Sequence, residues 1–213
     1  MLQKETVTAA TLEILNELMQ DEALNDFFLV GGTALALQIG HRISIDLDLF
    51  SLLPFDENKT LSYLEKDRRF RLDYQDRNTL KGQIDKTKVD LITHNYPLVR
   101  QLILSEGIRL ASLDDIAAMK INAVVTNGTR LKDFIDIAFL SAHLKFDTML
   151  EAYERKYATR NPLATLKSLS YFDDINFSEP VQMLNGNYNW SLLKKRLKEM
   201  TEFPSLIFES YPI

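Results

Sequence analysis

The stretch FFLVGGTALALQIGHRISIDLDLF, residues 27–50, decides the fold. An apolar run over 27–30 breaks on Gly31 and Gly32. Thr33 can cap a helix that its neighbours continue over 33–39. After twelve more residues, Asp46 and Asp48 stand one leucine apart inside a second apolar run, 44–50, which reads as a strand. Strand alternation puts Ile43, Ile45, Leu47 and Leu49 on one side and Ser44, Asp46, Asp48 and Phe50 on the other. The two carboxylates are then about 7 Å apart, the span of two residues along a strand. Burying either costs several kcal/mol unless a cation compensates. Magnesium is a fitting partner, because it takes carboxylate oxygens together with the phosphate oxygens of a substrate. On its own such a pair is also compatible with a solvated sheet face, paired with Arg42 or a lysine.

Two further features shift that balance. KVDLITH, residues 88–94, again sets an acid, Asp90, inside a β-like run. The Gly31-Gly32-Thr33 turn stands where a strand hands over to a helix, and its exposed amides suit a phosphate. Three carboxylates from two strands and a diglycine turn make a constellation for phosphoryl transfer.

Working outward, a helix is expected over 6–20 with Leu12, Leu15, Leu18 and Met19 on one face. Asp56 caps another that runs to about Asp67. Three β-like segments, 70–75, 80–84 and 88–93, read as an antiparallel meander, and 108–111 as one more short strand. Ser112 with Asp115 resembles a capping box and opens a helix to Thr126, stopped by Gly128. A further helix covers 131–144, and from Phe146 onward the chain reads helical, interrupted at Asn161-Pro162 and Glu179-Pro180. The expected fold class is α+β. A small mixed β-sheet with helices packed on it fills residues 1–112, and a helical C-terminal region fills 113–213.

Composition bounds the function. Hydrophobic residues make up 46% and charged ones 26% of 213, with no cysteine. That excludes disulfides and thiolate metal sites and fits a reducing compartment. No apolar run approaches the roughly 20 residues of a membrane span, and the N-terminus lacks the apolar block of a signal peptide, so a cytoplasmic protein with no membrane partner is expected. The net charge of −5 argues mildly against a dedicated nucleic-acid binder. Residues 66–88 run the other way, with eight Lys or Arg against four Asp. This excess suits an RNA backbone or a charge-protected sheet edge equally well.

GGTALALQIGHRISIDLDLF is similar to the first motif of the AbiEii/AbiGii toxin family, within the nucleotidyltransferase superfamily related to DNA polymerase β. KVDLI resembles its third-acid motif, and LASLDDIAAMKINAVVTNGTRLKDFIDIAFL its lysine helix and the signature that follows. The motifs occur in the family's order over residues 27–140. The resemblance implies an enzyme that moves a nucleoside monophosphate from an NTP to an acceptor, an RNA or tRNA end among them, and a cognate antitoxin as partner. It implies two magnesium ions on Asp46, Asp48 and Asp90, with Asp90 as general base. Gly31, Gly32 and Thr33 would hold the triphosphate, Ser44 would orient a phosphate or a metal-bound water, and Arg42 would contact phosphate. Lys120, the one charge in a stripe with Leu113, Ile116, Ala117 and Val124, would oppose triphosphate charge rather than snorkel to solvent. Asp133 and Asp136 would position Lys120 or bind ribose or base. A surface pair of Lys132 with Asp136 is the plainer alternative. His41 is a possible substrate contact, and His94 a strand-end residue. Residues 190–200 read as an amphipathic helix whose cluster Lys194-Lys195-Arg196 is solvated. Two other readings remain open: a small-molecule or protein side-chain acceptor, and a nucleotide-binding regulatory module without turnover.

Overall fold

The computed structural model describes residues 1–159 and 161–213. The chain divides into two compact units, Met1–Pro97 with Gln101–Ala111, and Leu98–Arg100 with Ser112–Ile213.

In the first unit Thr8 caps α1 (Ala9–Gln20) by accepting from Thr11 N. Then follow β1 (Phe28–Val30), α2 (Gly31–Ile39), β2 (Leu47–Ser51), α3 (Glu57–Arg68), β3 (Phe70–Asp76), β4 (Thr79–Ile84), β5 (Thr87–Thr93), β6 (Ile103–Ser105) and β7 (Ile108–Leu110). Among the described residues the strands form one seven-stranded sheet, ordered β3-β4-β5-β2-β1-β7-β6. It is mixed, as expected: β2 runs parallel to β5 and β1 parallel to β7, while the other neighbours are antiparallel. Asn78 and Asp85, at φ 54 and 53, turn the chain between β3, β4 and β5. Those two residue types enter left-handed backbone most readily after glycine. Leu47, Leu49, Leu80, Val89 and Leu91 point to one side of the sheet and are fully buried. Burial of this apolar face anchors the register, since a slip of one residue would expose all of it. Arg109 on β7 donates to the carbonyls of Phe27, Met19 and Leu24 at 2.8, 2.8 and 3.1 Å, tying the segment before β1 to the sheet.

The second unit holds α4 (Leu113–Thr126), α5 (Leu131–Leu140), α6 (Phe146–Tyr157), α7 (Pro162–Ser170) and α8 (Trp190–Glu202). Ser112 caps α4 as read: its hydroxyl accepts from Asp115 N at 3.0 Å and donates to Asp115 Oδ2 at 2.7 Å. Phe134, Ile137, Leu140 and Met149 are fully buried in its core.

Several expectations are corrected. The helix after β1 starts at Gly31, and Thr33 does not cap it, because its hydroxyl donates to the Asp46 carbonyl and is bonded to the Ser44 hydroxyl. Those bonds hold the backbone before Leu47 out of the ladder. Strand β2 therefore begins at Leu47 rather than Ser44, and Ile45 is 56% exposed instead of core. Helix α5 stops at Leu140, and β6 escaped the sequence reading. Residues 171–189 form no helix; Phe172 and Phe177 instead set their ring edges on Trp190, with centroids 5.5 and 5.3 Å away. Arg160, within that helical expectation, lies outside the described residues.

Candidate active site

Strands β2 and β5 pair so that Asp48 lies beside Asp90. Adjacent strands are about 4.8 Å apart, so the two carboxylates project as neighbours from the sheet face opposite the leucines. The row continues in register through Lys81 on β4 to Tyr74 on β3. Lys81 Nζ meets Asp90 Oδ2 at 3.1 Å. At its other end the row closes on the diglycine turn. A Cβ on Gly31 would collide with Asp48 Oδ2, and Gly31 also has φ +69. Only glycine satisfies both conditions.

Helix α2 begins there with Val30 as N-cap and no side-chain cap. Its first amides therefore have no intrahelical acceptor, and its dipole favours an anion at that end. Arg42 is 3% exposed, and its guanidinium packs on the Cα of Gly32, where a Cβ would strike it. Thr33 and Ser44 are buried against each other, their hydroxyls 2.8 Å apart. Thr33 thus serves the turn with its side chain, while its amide belongs to the first turn of the helix. Asp46 lies just before β2 and is exposed. His41 is 3% exposed, which removes it from a surface that meets substrate.

Among the described residues no three of His, Cys, Asp or Glu stand ready to hold a metal ion. The expected triad of Asp46, Asp48 and Asp90 is therefore not gathered as a ready-made metal cluster. Magnesium binds through one or two carboxylates, water and substrate phosphates rather than a closed protein cage. Asp48 and Asp90, half-buried neighbours with Asp46 close in sequence, supply such hard oxygen donors.

In the helical unit, Lys120 Nζ lies 2.6 Å from Asp133 Oδ1 and 2.6 Å from Asp136 Oδ2. All three side chains are buried, so Lys120 does not snorkel. Asp133 Oδ2 has no hydrogen-bond partner, and Arg130 Nε lies 3.8 Å from it. The surface pair of Lys132 with Asp136 does not form: Lys132 binds Glu179. Arg196 is likewise not solvated. It is buried, binds Ser141 Oγ and the Ser210 carbonyl at 2.9 Å each, and lies 4.1 Å over the Phe208 ring.

Sequence reasoning gave Asp115 only a capping role. It is also the hub of a buried network, accepting from Val99 N, Arg100 N and Lys156 Nζ at 2.9, 3.1 and 2.9 Å. Burial pushes its carboxyl up, but the bonds from Val99, Lys156, Ser112 and Arg100 outweigh that and hold it below the usual carboxylate range. An acid at the third position of a helix with a serine cap was the available signal. Nothing in the sequence marked Lys156 as its partner.

A profile of the family described as nucleotidyl transferase AbiEii toxin, type IV TA system, matches residues 13–84 and 66–202. An uncharacterized protein of Aquifex aeolicus (strain VF5) is 34% identical over 168 residues, spanning 76% of this chain and 81% of that protein. Among solved structures, a Helicobacter pylori protein classed as a nucleotidyltransferase superposes with TM-score 0.56 at 17% identity, over 92% of this chain and 94% of that one. JHP933 from Helicobacter pylori gives 0.50 at 16%, over 94% and 93%. The antibiotic-resistance factor ANT(2'')-Ia gives 0.55 at 13%, over 74% and 95%. At these identities the structural likeness is one of fold.

Proposed function

Because the chain belongs to the AbiEii family of nucleotidyl transferase toxins, we propose that it is a magnesium-dependent enzyme moving a nucleoside monophosphate from an NTP to an RNA acceptor, a tRNA end foremost. We further propose that it is the toxin of a toxin–antitoxin or abortive-infection pair, acting in the cytoplasm and restrained by a cognate antitoxin. Among the described residues no helix is long and apolar enough to cross a membrane.

The observation that carries this reading is the register pairing of Asp48 with Asp90 beside a helix N-terminus built on two glycines. Asp46, Asp48 and Asp90 would hold magnesium, which when bound neutralises triphosphate charge and polarises the attacked phosphorus. The amides of Gly31, Gly32 and Thr33 bind triphosphate oxygens, helped by the α2 dipole. Buried Arg42 adds positive charge behind that turn, and Ser44, bonded to Thr33, keeps it in shape. Asp90 accepts the acceptor hydroxyl's proton as the new O–P bond forms. The α–β phosphoanhydride bond breaks, and pyrophosphate leaves with its electron pair. Lys120 is held by Asp133 and Asp136, and the role that the family resemblance implies for it, opposing negative charge on a triphosphate, is part of the same proposal.

The test is incubation of purified protein with each labelled NTP, magnesium and total RNA. RNA labelling that vanishes in Asp48→Ala but survives in the surface control Glu65→Ala supports the proposal. Label on the protein or on small molecules instead would transfer the chemistry to another acceptor. Nucleotide binding without pyrophosphate release would leave a regulatory module.

A further inference from the structure

The acid pair has an aromatic neighbourhood of which only Phe50 belongs to the family motifs. Along β2, Phe50 follows Asp48 on the same side of the strand, and Ile92 pairs with it on β5. Two residues further, His94 sets its ring 5.0 Å from Phe50 at 31°, and Tyr96 sets its ring 4.7 Å from His94 at 45°. A backbone bond from His94 N to the Ser51 carbonyl, 2.8 Å, holds this end against β2. Tyr96, the outermost ring, is 44% exposed. On the opposite flank of Asp90 along β5 stands Lys88, exposed, while Lys81 on the neighbouring strand is level with Asp90 and paired with it. One sheet face therefore presents Lys88, then the carboxylates with Lys81 beside them, then a ledge of three rings in tilted contact. The diglycine turn lies to the side, at the end of β1.

We propose that this face is the acceptor site and that its ligand is the 3′ end of a single-stranded RNA. A base stacks on Tyr96, supported by His94 and Phe50, and Lys88 and Lys81 run beside the backbone phosphates. This rests on the transferase reading and names where its acceptor binds. Aromatic faces take any base, and single strands expose bases for stacking where duplexes do not. A polynucleotide end also carries phosphates on one side of its reacting hydroxyl, and Lys88 stands on the side of Asp90 away from the rings. A protein side chain or a small polar acceptor would need neither feature.

The experiment measures binding of a short 5′-fluorescein-labelled single-stranded oligoribonucleotide by anisotropy, without NTP, together with transfer kinetics. Tyr96→Ala should weaken oligonucleotide binding about tenfold and raise KM for the RNA by a similar factor, with KM for the NTP unchanged. Tyr96→Phe should behave as wild type, because the ring and not the hydroxyl is used. Lys88→Glu should weaken binding independently. Since Tyr96 is half exposed, melting curves of the variants should overlay that of the wild type. Wild-type oligonucleotide binding by Tyr96→Ala, or a rise in KM confined to the NTP, would overturn the proposal; the second outcome would make the ledge the nucleotide's base site. Binding that depends on Tyr96 in a protein that transfers to no acceptor would keep the ledge and remove the transferase reading.

Discussion

At the scale of single residues, the site depends on atoms that are missing. Gly31 combines left-handed backbone with a Cα pressed by the Asp48 carboxylate. Gly31→Ala should cost about 1–3 kcal/mol in a thermal or urea melt. It should also lower nucleotide transfer by more than about tenfold, because the carboxylate must move. Asp48→Ala removes a carboxylate without disturbing the leucine face, so transfer should vanish while the melting temperature holds. Lys120 behaves differently. Lys120→Met leaves two buried carboxylates uncompensated and should cost about 3–5 kcal/mol. Lys120→Arg should recover part of that stability, because a cation again faces both acids. Part of this was legible: a lone charge in an apolar stripe pointed to Lys120, and an acid in an apolar strand to Asp48, whereas Asp46, read into the same strand, lies exposed before it. The partners were not. Asp133 lies 13 residues from Lys120, and neither helix alone shows which face meets the other.

At the scale of elements, period-two alternation in KVDLI and the turn residues Asn78 and Asp85 gave the meander almost as it stands. The entry to β2 was misread, because Ile45 looks like a core residue until the Thr33 hydroxyl is seen to bind the Asp46 carbonyl. A side-chain bond across 13 residues has no local signature. The aromatic ledge was hidden for the same reason, since Phe50 sits on β2 while His94 and Tyr96 follow β5. Helix α4 offers a separate measurement. Ser112→Ala should cost about 1 kcal/mol as a lost cap, and Lys156→Met more, about 3–5 kcal/mol, because Asp115 is fully buried. Asp115 has a lowered pKa in the fold. Its contribution is therefore fully present above the unfolded value of about 3.9 and is lost as pH falls through the lower folded value. Asp21 adds to the same acid limb: burial raises its carboxyl, but bonds from Tyr63, Ala23 and Arg68 hold it low. Urea midpoints should stay level from pH 7 to 5 and fall steeply below 4. In Asp115→Asn that acid limb should flatten.

At the scale of the whole molecule, a net charge of −5 coexists with a cationic flank at the acceptor face. Polynucleotide binding should accordingly depend on salt only weakly. If Lys81 and Lys88 neutralise about two phosphates, the logarithmic slope is about −1.4, and affinity falls about sevenfold between 50 and 200 mM salt. A slope several times steeper would mean that the basic stretch 66–88 engages as a whole. Expression should slow growth, and Asp48→Ala should relieve it at equal protein level.

The clamp of Arg109 on the carbonyls of Met19, Leu24 and Phe27 has a consequence for biosynthesis. The strand that carries the diglycine turn is interior to the sheet only once β7 has docked against it. A nascent chain released before that point leaves β1 as a raw edge, its preceding loop untethered. A chain cut upstream of Ile108 should therefore expose β1 to pairing with other strands, and such a fragment should aggregate where the full chain does not.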